Sequence, residues 1–192
     1  MKKLKLFLLT LIALTISNRI SFAEMLKYNT EPNHTSVLWV ANHFGFSEVS
    51  GKFTDVSGVI NFDEAKPEKS SVEVTININS INTGIAKLDA HLKSADFFDA
   101  QKFATAKFVS KKITVTGKNT AKIAGDLTVR GITKNVVLDA VFNKSGINPI
   151  NQKPSIGFSA KTTVNRSDFG IKYALPAIAD KIDLNIQVEA NR

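Results

Sequence analysis

Hydrophobic and polar positions alternate along most of this chain. From Val37 to His43, the residues Val37, Trp39, Ala41 and His43 share one face of an extended backbone, and Leu38, Val40 and Asn42 share the other. After Gly58, Ile60 and Phe62 fall together. From Ser71 to Ile81, Val72, Val74, Ile76 and Ile78 oppose Glu73, Thr75, Asn77 and Asn79, a clean period of two. Phe108 to Val115 reads as a strand broken at Lys111-Lys112, with Gly117 to Asn119 as its turn. Lys122 to Arg130 follows, where Gly125 marks a bulge or bend. A turn over Gly131 to Lys134 leads into Val136, Leu138, Ala140 and Phe142. Lys144 to Gly146 and the Pro149 to Pro154 region read as loop. Ile156 to Asn165 alternates again, and Ile182, Leu184, Ile186 and Val188 form the last apolar face.

Eight such segments, most of them separated by turn residues, predict an all-β fold with antiparallel neighbours. An open sheet of that size leaves long apolar edges, so closure into an eight-stranded antiparallel β-barrel is the natural solution, with a two-sheet sandwich as the rival. Eight strands enclose an interior that is either packed or holds one small ligand. One helical stretch interrupts the alternation, at Ile85 to Phe98, where Ile85, Leu88 and Leu92 recur at helical spacing. It would cover an open barrel end or the outer wall.

The N-terminus obeys a different rule. Residues 1–23 combine Lys2, Lys3 and Lys5 with an apolar run from Leu6 to Ile16 and a Ser21-Phe22-Ala23 ending. That describes a secretory signal peptide cleaved before Glu24, leaving residues 24–192 as a single domain. The apolar run is short for a membrane span, and no later segment matches it, so no integral span is expected after cleavage. The whole chain carries 25 Lys and Arg against 17 Asp and Glu, a net charge of +8. Lys2, Lys3, Lys5 and Arg19 leave with the signal, so 21 basic residues face 17 acidic ones, a net +4. That charge is mild and spread out, which argues against a nucleic-acid partner. The chain has no cysteine, so an exported product rests on core packing rather than disulfides.

Candidate chemistry is sparse. Trp39 and His43 on one face place a large apolar plate near a polar group, an arrangement suited to a core or to a cavity holding an apolar molecule with a polar end. His34, His43 and His91 are the only histidines, and their spacing makes them poor co-ligands, so no metal and no cofactor is expected. Arg166 either pairs with Asp168, two residues away, or meets a phosphate or quinone head group. Asp89, Asp96 and Asp99, with Ser94, read as helix-capping and Lys-contacting groups. No nucleophile elbow, phosphate-binding loop, zinc-protease helix or dinucleotide fingerprint is present, so no catalytic residue is assigned.

Five blocks of residues bring a family into view. They are His34-Thr35-x-Val37-x-Trp39-x-x-x-His43; Val49-x-Gly51-x-Phe53; and Asp89-x-His91-Leu92-x-Ser94-x-Asp96-Phe97-Phe98-Asp99-Ala100. Gly125-x-Leu127-x-Val129-x-Gly131-Ile132-Thr133-Lys134 and Asn165-Arg166-Ser167-Asp168-Phe169-Gly170-Ile171 complete the set. In this order, over Tyr28 to about Glu189, the chain resembles the YceI-like family of secreted bacterial proteins, described as polyisoprenoid-binding. Trp39 stands where Phe is usual, Thr35 where Ser is usual, Asn135 where Pro is common, and Ala104 where Pro often follows. Of these departures, Trp39 would narrow the lumen or shorten the ligand.

The resemblance implies a lipocalin-like barrel with a long apolar tunnel for an isoprenoid or similar long-chain amphiphile, in a periplasmic or secreted protein. With the alternation, it gives wall candidates Val37, Trp39, Ala41, Ile60, Phe62, Val74, Ile76, Phe108, Leu127, Leu138, Phe158 and Ile186, and head-group candidates His43 and Arg166. Three functions follow as alternatives: a lipid-sequestering or lipid-carrying protein, which is favoured; an enzyme acting on such a lipid; and an envelope stress protein with a filled barrel that works through protein contacts. A homodimer through exposed wall or helix surface is left open.

Overall fold

A computed structural model describes residues 24–192. The expected signal peptide lies outside the described residues. The chain forms an all-β, closed antiparallel barrel of eight strands, several of them assembled from shorter segments. The first segments are β1 (Leu26–Thr30), β2 (Ser36–His43), β3 (Ser47–Phe53), β4 (Val56–Phe62), β5 (Ser71–Asn77) and β6 (Ile81–Asn82). Helix α1 (Ala86–Lys93) follows, and then the long strands β7 (Thr105–Gly117), β8 (Thr120–Val129), β9 (Ile132–Ile147), β10 (Pro154–Asn165) and β11 (Ile178–Asn191).

Three pairs of segments each act as one interrupted strand. Both β1 and β2 pair with β11, through Thr30 opposite Ala190 and Ser36 opposite Gln187. The interruption holds Pro32, which cannot donate to a ladder. It is stitched down by Glu31 N–H to the Glu189 carbonyl at 2.7 Å and by Thr35 Oγ1 to the same oxygen at 3.0 Å. In the same way β3 and β4 face β2 and β1, and β5 and β6 face β4 and β3. The eight expected strands are therefore present, although β1 and β3 carry too little alternation to read as strands by themselves.

Other expectations need correction. The turn expected over Gly131 to Lys134 is only Arg130-Gly131, both at positive φ (50° and 73°), so that Val129 pairs directly with Ile132. Such a tight turn matches the twist of the flanking strands. Lys144 to Gly146, expected as loop, belongs to β9 and pairs with Ser155 to Gly157. Helix α1 is shorter than Ile85 to Phe98, ending where Ser94 turns extended. Turns then carry Phe97 into the core, with Phe98 N–H bonded to the Leu92 carbonyl at 3.0 Å. The acidic residues do not cap α1: Asp89 accepts from Thr83 N–H and Oγ1 at 2.8 and 2.7 Å, and Asp96 meets His91 at 3.1 Å.

The break at Lys111-Lys112 is a bulge in β7, with Ser110 opposite Gly125 and Lys112 opposite Ala124. One extra residue reverses the phase of alternation, so Phe108 before the bulge and Ile113 after it both face inward. Gly125 is required there: a Cβ would come within 2.5 Å of the Val109 carbonyl oxygen and 2.6 Å of Phe108 Cζ.

Candidate functional site

Two apolar chambers occupy the barrel. The first, about 350 Å³, is lined by the Phe62–Phe142–Phe158 aromatic cluster, with Glu64, Ser70, Lys118 and Asn119 as its polar edge at the same barrel end. The second, about 340 Å³, lies under α1 and the segment that follows it. Val37, Ile76, Leu127 and Leu184 line both, and so form the waist at which the chambers meet.

The fourteen candidates all line this lumen. Val37, Ile60, Phe62, Val74, Ile76, Phe108, Leu127, Leu138, Phe158 and Ile186 border the first chamber. Trp39, Ala41, His43 and Arg166 border the second, together with the shared waist residues. Alternation accounts for the placement of those on strands, because in a closed barrel one face of every strand points inward. Several lining residues fell outside the candidate set. Leu184 and Phe142 lie on faces that the alternation had already identified, and Phe53, Leu92, Phe97 and Tyr173 come from irregular or short elements. The aromatic pair after the helix, Phe97-Phe98, was the available signal for the last group.

Trp39 sets the shape of the second chamber. It pairs across the sheet with Gly51, where a Cβ would come 2.7 Å from the indole Cζ2, so the ring lies flat over β3 only because that position is glycine. Trp39 is buried, and its Nε1 finds no hydrogen-bond acceptor among the described residues. A buried unpartnered donor is costly, about 1–3 kcal/mol. His43 borders the same chamber, its ring edge-on to Phe44 at 4.3 Å.

Arg166 departs from the expected pairing with Asp168. It makes no ion pair with Asp168, which is exposed and meets only Asn165 Nδ2, at 3.5 Å. The guanidinium is buried, 6% exposed, and donates to four carbonyls: Ala179 at 2.9 Å, Ile171 at 3.2 Å, Tyr173 at 2.9 Å and Ile178 at 3.0 Å. Its plane also lies 6.0 Å from the Phe97 ring centre. The short helical turn over residues 166–169 points the side chain inward, which strand spacing could not foresee. Burial lowers its pKa, and nearby Asp180 opposes that shift. Asp180 is held below the usual carboxylate range by the Ser167 hydroxyl at 2.6 Å, against the effect of burial, with help from the Ser167 N–H at 2.8 Å and from Arg166. Arg166 thus ties the 166–180 loop to the barrel end.

Lysine–carboxylate ion pairs lie on the outside. Lys122–Asp139 at 2.6 Å, Lys107–Glu73 at 2.5 Å and Lys111–Asp126 at 3.4 Å are cross-strand pairs on the outer wall. Among the described residues, no three His, Asp or Glu side chains converge as metal ligands, and no helix is long and apolar enough to cross a membrane.

A hollow eight-stranded barrel with a helix over one end is shared by many proteins, so the comparison with known sequences decides the family. The model of the YceI-like domain matches residues 28–190. This chain belongs to the YceI-like family. It is 40% identical over 185 residues to a UPF0312 protein of Pseudomonas fluorescens strain SBW25, covering 94% of this chain and 95% of that one. Among solved structures, a YceI protein of Campylobacter jejuni is 38% identical with a TM-score of 0.71, over 79% of this chain and 89% of that one. A domain from Saccharophagus degradans described as polyisoprenoid binding has the same fold, with a TM-score of 0.68 at 11% identity, over 88% of this chain and 99% of that domain. The fold of the family is thus the fold of this chain.

Proposed function

We propose that this YceI-like protein is an exported carrier that sequesters a polyisoprenoid or similar long-chain amphiphile in its barrel. One observation carries the reading: two apolar chambers meet at a waist of four aliphatic side chains, and charged groups line them only near their ends. Each chamber falls within the size range of small-molecule sites, and their lining offers dispersion and desolvation rather than chemistry. Burying a methylene is worth about 0.8 kcal/mol, so each five-carbon unit contributes roughly 3–4 kcal/mol before ordering costs. A few units give tight binding. Selectivity then comes from length and shape, with His43 as the group available to an oxygen-bearing head in either protonation state.

The periplasm is the proposed location, with residues 1–23 as the cleaved signal. Catalysis has no part in the proposal, since among the described residues the lumen offers no assembled nucleophile, base and oxyanion donor. The hollow lumen gives the filled-barrel alternative no support.

Native mass spectrometry of protein purified from its own envelope, followed by organic extraction, tests the carrier reading. The expected result is a long-chain amphiphile at near one per chain. A protein that arrives empty and also fails to take up long-chain isoprenoids in vitro would refute it.

A further inference from the structure

The hairpin joining β2 to β3 ends in Phe44-Gly45-Phe46, and its geometry is unusual for so exposed a place. Phe46 is 92% exposed and Phe44 49%. Phe44 sits at φ 56° and Gly45 at φ 79°, with Phe46 N–H bonded to the His43 carbonyl at 3.0 Å. This tight turn favours Asn or Gly at its first central position. A phenylalanine there is a backbone outlier, and nothing in the barrel's packing requires it.

The tip does not stand alone. His43 pairs with Ile178, which brings the hairpin alongside the end of the 166–180 loop. Asn42, His43, Tyr173 and Ile178 all border the second chamber, and Tyr173 is 45% exposed. The rim of that chamber therefore carries three exposed aromatic rings. Between Ala41 and Ser47, and between Gly170 and Ala179, its only full charge is the exposed Lys172.

We infer that this aromatic rim docks on a lipid bilayer, with Phe44 and Phe46 entering the interface so that the mouth of the second chamber faces the membrane. Two arguments favour a bilayer over a protein partner. The first is area: two rings bury about 150–250 Å² each, well short of the roughly 800 Å² that a stable protein interface takes from each partner. The second is the backbone. Gly45 N–H is bonded to Asn42 Oδ1 at 2.7 Å and Phe46 N–H to the His43 carbonyl, so these tip donors need no water when they leave it. Lys172 adds a cation suited to anionic head groups. The inference extends the carrier reading by giving the ligand a way in from the membrane.

The test uses the purified protein with vesicles of phosphatidylcholine alone and of phosphatidylcholine mixed with phosphatidylglycerol. Phe46→Ser removes an exposed ring. Phe44→Asn removes the other while giving the turn a residue it prefers, so this variant melts no lower than wild type. Ile150→Ser, 90% exposed in the loop between β9 and β10 at the opposite barrel end, is the control. Wild type and Ile150→Ser are expected to co-sediment with vesicles, and Phe46→Ser and Phe44→Asn to do so about tenfold less or weaker still. A dansyl-labelled geranylgeranyl probe should enter the two tip variants normally from aqueous solution and more slowly from vesicles. Wild type that binds neither vesicle, tip variants that bind as wild type does, or an equal loss in Ile150→Ser would each overturn the docking surface. A wild-type protein that takes up no probe from solution counts instead against the carrier reading, while co-sedimentation still decides the docking.

Discussion

Trp39 combines a steric dependence on its neighbour with an unmet polar group. Its indole occupies space that Gly51 leaves free, and its Nε1 is buried without an acceptor. Trp39→Phe deletes that donor along with part of the ring, two effects of about 1–3 kcal/mol and opposite sign. Chemical unfolding should therefore show a net change within about 1 kcal/mol. The same variant widens the second chamber, so competition assays should shift its preference toward longer chains. Gly125→Ala should behave in the opposite way. Its Cβ would press on the Val109 carbonyl oxygen, which belongs to the β7 backbone and cannot rotate aside, and overpacking of this kind costs about 1–3 kcal/mol. A denaturation midpoint equal to wild type would show that the bulge relaxes freely.

At the scale of elements, the 166–180 loop is held by one buried cation and one carboxylate. Asp180 has a lowered folded-state pKa, so the stability it contributes is fully present above the ordinary carboxylate value of about 4 and is lost as pH falls through its folded value. Asp180→Asn should be less stable than wild type at neutral pH, and the gap should close as pH drops below about 4. Melting curves across that range check it, and a gap independent of pH would assign the loss to packing. Elements were unequally legible in the sequence. The long strands showed themselves through alternation, whereas β1, β3 and the end of α1 did not. Their limits depend on Pro32, on the turn that carries Phe97 inward and on partners far away in the chain.

For the whole molecule, the waist decides whether the barrel offers one tunnel or two separate chambers. Leu127 borders both chambers and sits on β8, a strand paired on both sides. Leu127→Trp should fill the waist. Binding of a long isoprenoid should fall about tenfold or more, because a chain stopped at the waist forgoes several buried methylenes. Binding of a chain short enough for one chamber should change little. Isothermal titration with a length series separates these outcomes, and equal loss at all lengths would show that the waist does not gate length.

Alternation along the chain was enough for the strand count and for the inward positions on the strands, but not for Arg166, whose inward direction comes from the helical turn that follows β10. A period of two requires only the local geometry of an extended chain, and closure puts one face of every strand inside. The sequence could not show which inward residues share a level. That depends on register, and register placed Val37, Ile76, Leu127 and Leu184 together at the waist. Nor could it give the partners of Arg166, because residues 171, 173, 178 and 179 reach that guanidinium only through a loop that folds back on itself. An apolar face becomes two chambers, and a tight turn becomes part of an exposed aromatic rim, once the barrel has closed, because both depend on contacts between residues distant in sequence.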